Sequence, residues 1–134
     1  MLTTTCIHPE LIATLSHCGH GSKILIADGN YPLMQRTGVA KKVYLGLMPD
    51  VPTVTQVLEA LLGVINVEKV EVMVPEDGAP PAIFKDFEAL TGLKPEGCSR
   101  YAFYDLVSKE DVALAVSTGE SRVYANILLT VGVR

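Results

Sequence analysis

Apolar and polar positions along the chain switch repeatedly between helical and extended spacing, and each switch marks an element. Ile7, Leu11, Ile12 and Leu15 recur at helical spacing across residues 8–18. Pro9 falls in the first turn, where its missing N–H removes no hydrogen bond, and Gly19 and Gly21 end the helix. Lys23-Ile24-Leu25-Ile26-Ala27-Asp28 is an apolar run closed by a carboxylate, the pattern of a strand covered on both faces. Gly29-Asn30-Tyr31-Pro32 breaks the chain. A second strand is expected over Lys42–Leu47 and a loop over Pro49–Pro52. Thr53 is placed to cap a helix from Val54 to about Val64, with Val54, Val57, Leu58, Leu61 and Leu62 on one face. Val67–Pro75 reads as a strand. Pro80-Pro81 opens a helix that runs to about Thr91 and stops at Gly92. Ser99–Phe103 is expected as a short strand and Tyr104–Glu110 as a short helix. Asp111–Ser117 and Asn126–Val131 are the last two strands.

Strands alternating with helices predict an α/β fold, a three-layer α/β/α sandwich around a mixed, mostly parallel sheet. If Asp111–Ser117 runs parallel to the first strand, its end lies beside Asp28. The loop after it then returns Tyr124 and Asn126 to the same edge, and the last strand runs antiparallel. At 134 residues the chain is one domain, 1–134. The 49% hydrophobic and 19% charged composition suffices for a core and argues against disorder.

The formal net charge of −4, with Lys41-Lys42 the only basic doublet, lacks the basic stripe of a nucleic-acid binder. No segment approaches the roughly 18 apolar residues of a membrane span, so no membrane partner is expected. The first residues show no signal-peptide pattern, and Cys6, Cys18 and Cys98 are an odd set with no Cys-x-x-Cys spacing. Free thiols in a reducing, cytoplasmic setting are the simplest reading. His17, Cys18 and His20 would be an incomplete zinc set without a second ligand cluster, so no metal is expected.

Three patches place polar residues at element ends, where α/β sheets collect ligands beyond the carboxyl ends of strands. They are Gly19-His20-Gly21, Asp28 to Pro32, and Thr118-Gly119-Glu120 through Tyr124-Ala125-Asn126. His20 reads as a solvated turn residue or as an acid–base group whose flanking glycines leave the ring unshielded. Asp28 reads equally as a turn former or as a catalytic or sugar-binding carboxylate. Tyr124 and Asn126 are two apart, so in extended chain they face one side, suited to hydroxyl recognition. Arg100 reads by base rate as a surface charge, and Glu120 as a loop charge. Gly19-x-Gly21 precedes a strand and lacks the third glycine of a dinucleotide site. No phosphate loop or Gly-x-Ser-x-Gly elbow is present.

At these same residues the chain resembles the D-ribose pyranase and L-fucose mutarotase family. The match runs from Pro9-Glu10-Leu11 through Gly19-His20-Gly21 to Asp28 and Tyr31-Pro32. It resumes at Arg100-Tyr101-Ala102-Phe103-Tyr104, which is similar to the fucose branch. It ends with Thr118-Gly119-Glu120, Tyr124-Ala125-Asn126-Ile127-Leu128-Leu129 and Gly132-Val133. Residues 33–82 match least. Tyr104 stands where the ribose branch has a histidine, whereas Val51-Pro52 to Gln56-Val57-Leu58 looks more like the ribose branch.

The resemblance implies a cofactor-free isomerase acting on a free monosaccharide, L-fucose first and D-ribose as the alternative. It implies homo-oligomers, commonly decameric rings, with sites between subunits. It makes His20 the proton donor, Asp28 a sugar ligand that assists proton transfer, and Arg100, Tyr124 and Asn126 holders of sugar hydroxyls. A non-catalytic sugar-binding or transport-accessory protein would use the same cluster. A straight strand over Lys23–Asp28 would hold His20 and Asp28 some ~15–20 Å apart, so either the Gly-His-Gly turn folds back or His20 serves a neighbouring subunit's site, and the second is the favoured expectation.

Overall fold

The computed structural model describes residues 1–134. In chain order the elements are α1 (Pro9–Ser16), β1 (Lys23–Ala27), β2 (Lys41–Tyr44), α2 (Val54–Leu62), β3 (Val67–Met73), α3 (Ile83–Thr91), β4 (Glu96–Cys98), α4 (Arg100–Val107), β5 (Val112–Ser117) and β6 (Ile127–Val131). The strands form one sheet in the order β2-β5-β1-β6-β3-β4. β1 pairs parallel with β5, β2 with β5 and β3 with β4, whereas β6 is antiparallel to both β1 and β3. Five strands therefore point one way and β6 alone returns.

Strand alternation divides the core into the expected layers. Ile24 and Ile26 of β1, with Ile127, Leu129 and Val131 of β6, meet α1, α2 and α3 on one face. Leu25, Ala27 and Leu128 face the other way, onto Phe103, Tyr104 and Val107 of α4 and onto Tyr31, Leu33 and Ala40. In β5 the register slips opposite Lys23 and Ile24, so Ala113 is an extra residue. That bulge lets Val112 face the α4 side while Leu114, two residues on, faces the α2 side.

Residues expected as a strand at Ser99–Phe103 begin α4 instead. Ser99 is its N-cap, its hydroxyl accepting from Ala102 N at 3.4 Å, and Phe103, Tyr104 and Val107 are buried at helical spacing. β4, not expected from sequence, is the three-residue segment Glu96–Cys98, held only by parallel pairing with β3. β2 is shorter than expected because β5 ends at Ser117, and Leu45 N donates the last bond of that pair to Ser117 O. α2 starts as expected: Thr53 and Gln56 form a reciprocal capping box.

After β2 the chain makes a turn over Leu47–Val51 that packs on the loop following β5. Gly119 N donates to Pro52 O at 2.9 Å, and Asp50 accepts from both the N–H and hydroxyl of Ser121, at 2.9 and 2.7 Å. A Cβ on Gly119 would collide with Met48 O and lie 2.6 Å from Val51 O, both backbone atoms. Gly119→Ala should therefore destabilise the fold by about 1–3 kcal/mol, as overpacked sites do. Thr53→Ala should cost about 1 kcal/mol through the lost cap. Urea denaturation measures both. A Gly119→Ala midpoint equal to wild type would mean that the two turns do not pack in this way.

Candidate functional site

Asp28 follows the last residue of β1, at the edge where five strands end. The parallel register sets Ala27 beside Ser117, so the chain leaving β5 must pass Asp28. Thr118 then ties the two ends together, its N–H and its hydroxyl both donating to Ala27 O at 3.1 and 2.8 Å. β6 starts at the same edge and runs back beside β1, which brings Asn126 against Asp28. Asp28 N donates to Asn126 Oδ1 at 2.9 Å, and Asn126 Nδ2 donates to Asp28 Oδ2 at 3.1 Å. The other carboxylate oxygen accepts from Asn30 N at 2.8 Å. Asp28 is 2% exposed and Asn126 3%.

Burial raises the Asp28 pKa above that of an ordinary aspartate, opposed by the donors at Asn30 and Asn126. Burial also pushes the Tyr31 phenol far up, reinforced by Tyr104, so Tyr31 stays a neutral hydroxyl. Its OH donates to Arg36 O at 3.3 Å, and its ring packs edge-on against Phe103 and Tyr104.

A cavity of about 180 Å³ opens here, lined by Asp28, Asn30, Tyr31, Met73, Arg100, Tyr104, Val123, Tyr124 and Asn126. Its volume falls below the ~300 Å³ at which drug-sized sites begin and corresponds to about six water molecules of liquid. The polar lining offers carboxylate, carboxamide, phenol and guanidinium groups, the set that recognises a small polyhydroxylated molecule. The position just after β1 supplies Asp28, and the last residue of β3 is Met73. The first turn of α4 supplies Arg100, whose Nε donates to Tyr104 OH at 3.1 Å. The Tyr104 ring lies between two cations, with Arg36 Cζ 5.0 Å and Arg100 Cζ 5.5 Å from its centroid.

Four of the five residues singled out from sequence thus line one cavity: Asp28, Arg100, Tyr124 and Asn126. Tyr124 does so with a correction. It is not in extended chain but at φ 59°, a left-handed conformation uncommon for a bulky residue. Asn30, Tyr31, Met73, Tyr104 and Val123 were not singled out as site residues. Asn30 and Tyr31 lay in the Asp28 to Pro32 patch and Tyr104 in the recognised motif, whereas Met73 and Val123 carried no signal.

His20 is elsewhere. It precedes β1 at the opposite edge of the sheet, its side chain is 60% exposed, and Nε2 pairs with Glu68 Oε1 at 3.0 Å and Oε2 at 3.1 Å. Glu68 sits at the β3 register slip and had no signal in sequence. His17, Cys18 and His20 form no group of ligands, and no cluster of three or more His, Cys, Asp or Glu side chains occurs. Glu120, read from sequence as a loop charge, is instead 1% exposed. It accepts from Arg122 Nε at 2.8 Å and Nη2 at 3.0 Å and from Val54 N at 3.3 Å. The Arg122 guanidinium beside it lowers its pKa against the opposing effect of burial. No helix is long and apolar enough to cross a membrane.

Known proteins are similar to this chain over nearly its whole length. A D-ribose pyranase of Symbiobacterium thermophilum is 32% identical, the alignment covering 99% of this chain and 98% of that protein. The human fucose mutarotase is 28% identical over 95% of this chain and 89% of its own length. The structure of Bacillus subtilis RbsD complexed with D-ribose superposes with a TM-score of 0.86 at 28% identity, covering 100% of this chain and 99% of that one. The model of the RbsD / FucU transport protein family matches residues 1–134, and the chain belongs to that family.

Proposed function

We propose that the protein is a cofactor-independent mutarotase that opens and recloses the ring of a free monosaccharide bound at the Asp28 cavity. The observation that carries this reading is a buried carboxylate beside a carboxamide, a phenol and a guanidinium, in a cavity sized for one sugar. Family membership supports it, because relatives carry the names of both ribose pyranase and fucose mutarotase. L-Fucose is the proposed substrate, on the strength of the Arg100–Tyr104 pair, and D-ribose is the alternative.

Ring opening removes a proton from the anomeric hydroxyl and delivers one to the ring oxygen. Reclosure reverses this on either carbonyl face, or through another hydroxyl for a change of ring size. Asp28 is placed to accept or hold one proton, and burial raises its basicity toward that role. Imidazole exchanges protons near neutral pH, which suits His20 to the other transfer. Glu68 on Nε2 orients the ring and leaves Nδ1 free. Arg100, Tyr124 and Asn126 hold sugar hydroxyls.

His20 and Asp28 stand at opposite ends of β1, so one copy cannot apply both to one sugar. The proposed site therefore joins the Asp28 cavity of one copy to His20 of another, within a homo-oligomer such as a decameric ring. A non-catalytic sugar-binding role is the second reading. The exposure of His20, away from the cavity, favours it, because the cavity alone would bind without moving protons.

NMR saturation transfer between anomers of fucose and ribose, with catalytic amounts of protein, separates the readings. Wild type should accelerate exchange, and His20→Ala or Asp28→Asn should slow it by about 10²–10⁴-fold. Binding without acceleration would leave the second reading. Mixed oligomers of the His20→Ala and Asp28→Asn chains should regain part of the activity, since some sites then pair two intact residues. No recovery would place His20 in its own chain's site or outside any site. A third expectation concerns pH. An ionised Asp28 is required, so the exchange rate should fall on acidification with a midpoint above the ordinary aspartate value of 3.8, and Asp28→Asn should lack this limb. A rate insensitive to pH down to that value would remove Asp28 from proton transfer.

A further inference from the structure

We infer that Glu120 is a positioning residue for the sugar site, setting the place of Asp28 and of Tyr124-Ala125-Asn126 without touching the ligand. The inference rests on the proposed sugar site but concerns residues outside the cavity. Glu120 is bound on both sides. Its carbonyl accepts from Gly29 N at 2.8 Å, on the residue next to Asp28. Its side chain turns the other way, into the layer of α2 and α3. There Oε2 accepts from Val54 N at 3.3 Å, on the first residue of α2, and both oxygens meet the Arg122 guanidinium. Arg122 reaches on to Asp86 of α3 at 3.8 Å. Ser121, between them, is held by Asp50.

The need for such an anchor is visible four residues further on. Tyr124 occupies a left-handed backbone conformation, which a bulky residue keeps only when its surroundings enforce it. The chain has six residues, 121–126, between the Glu120 anchor and β6 in which to make that turn. At the near end the anchor is a charged group 1% exposed, bonded to Val54 N of α2 and to the backbone and guanidinium of Arg122. At the far end it is the Asn126–Asp28 pair. Gly29 fits the same geometry: a Cβ there would lie 3.2 Å from Glu120 O and 3.5 Å from Thr118 O, so the two turns are pressed together. A carboxylate is required because a neutral side chain could take the Val54 N–H but would lose the charge-assisted pair with Arg122, leaving that guanidinium only the longer contact with Asp86.

Glu120→Gln tests this with two readouts. The first is the concentration dependence of sugar exchange. Displaced hydroxyl ligands should raise KM by about tenfold, on the scale at which small misplacements weaken a site, with kcat changed less. A residue that only stabilised the fold would lower the folded fraction, and with it apparent kcat, leaving KM as in wild type. The second is the Asn126 side-chain amide resonance in a 15N–1H spectrum without sugar, which should move or broaden. An unchanged KM together with an unchanged Asn126 resonance would overturn the inference. If wild type fails to accelerate exchange of any sugar, the proposed function falls, and the Asn126 resonance still decides the role of Glu120. Should Glu120→Gln not fold, Glu120→Gln/Arg122→Met removes both charges and leaves no buried ion unpaired. The same two readouts then apply.

Discussion

Two hydrogen bonds between Asp28 and Asn126 join positions 98 residues apart and hold the chemistry of this fold in one place. Each residue is both donor and acceptor toward the other, so the pair forms only if β1 and β6 end in one register. That register is set by the antiparallel ladder from Lys23–Thr130 to Ile26–Ile127. Continuing the ladder sets Ala27 opposite Asn126 and Asp28 opposite Ala125, so Asp28 and Asn126 become diagonal neighbours just beyond it. A slip of one residue would turn every side chain of β6 to the other face. It would drive Ile127 and Leu129 out of the α2 layer and break the polar pair at the same stroke. The apolar alternation of β6 thus enforces the polar geometry at its start.

Burying Asp28 has a cost that the site converts to use. A carboxylate taken from water loses hydration, and the bonds donated by Asn30 and Asn126 do not restore it fully, which is why its pKa rises. The opposite balance holds at Glu120, also closed to solvent yet with a lowered pKa, because a guanidinium and an amide meet its two oxygens. These carboxylates lie in two turns packed together through the Gly29 N to Glu120 O bond, and their pKa values shift in opposite directions. One is suited to exchanging protons, the other to staying charged.

The elements legible in sequence were those that carry their own pattern. β1 is an apolar run covered on both faces, and α2 is an amphipathic stripe behind a capping threonine. Both signals come from local residues, and both elements stand where expected. β4 was not legible, because Glu96-Gly97-Cys98 has no strand pattern and exists only through its bonds to β3. α4 was misread because its aromatic opening, Tyr101 to Tyr104, fits a strand as well as a helix, and Ser99 decides the matter only as a cap. In the site, resemblance and strand-end position found Asp28, Arg100, Tyr124 and Asn126. Met73 and Val123 were not legible, since nothing local distinguishes a cavity-lining apolar residue from a core one. Glu120 was misread for a related reason: its burial depends on the N–H of Val54, 66 residues upstream.

His20 poses the remaining structural problem, and the strand directions frame it. Five strands end at the Asp28 edge, so ligand groups gather there, while residues that precede β1 and begin β3 gather at the opposite edge. His20 and Glu68 are such residues, and their mutual bond fixes the imidazole there. β1 is central, fully bonded on both sides and stiff. No bend of the chain can bring its two ends together without undoing the core. On the proposed reading the two halves of a site therefore belong to different copies. A two-fold contact with the sheets reversed completes two sites at once, and a head-to-tail contact completes one per junction. An open head-to-tail row always leaves one cavity and one histidine unmatched at its ends. Only a closed assembly gives every chain a whole site, so for this fold closure of the oligomer is a condition of full activity per chain.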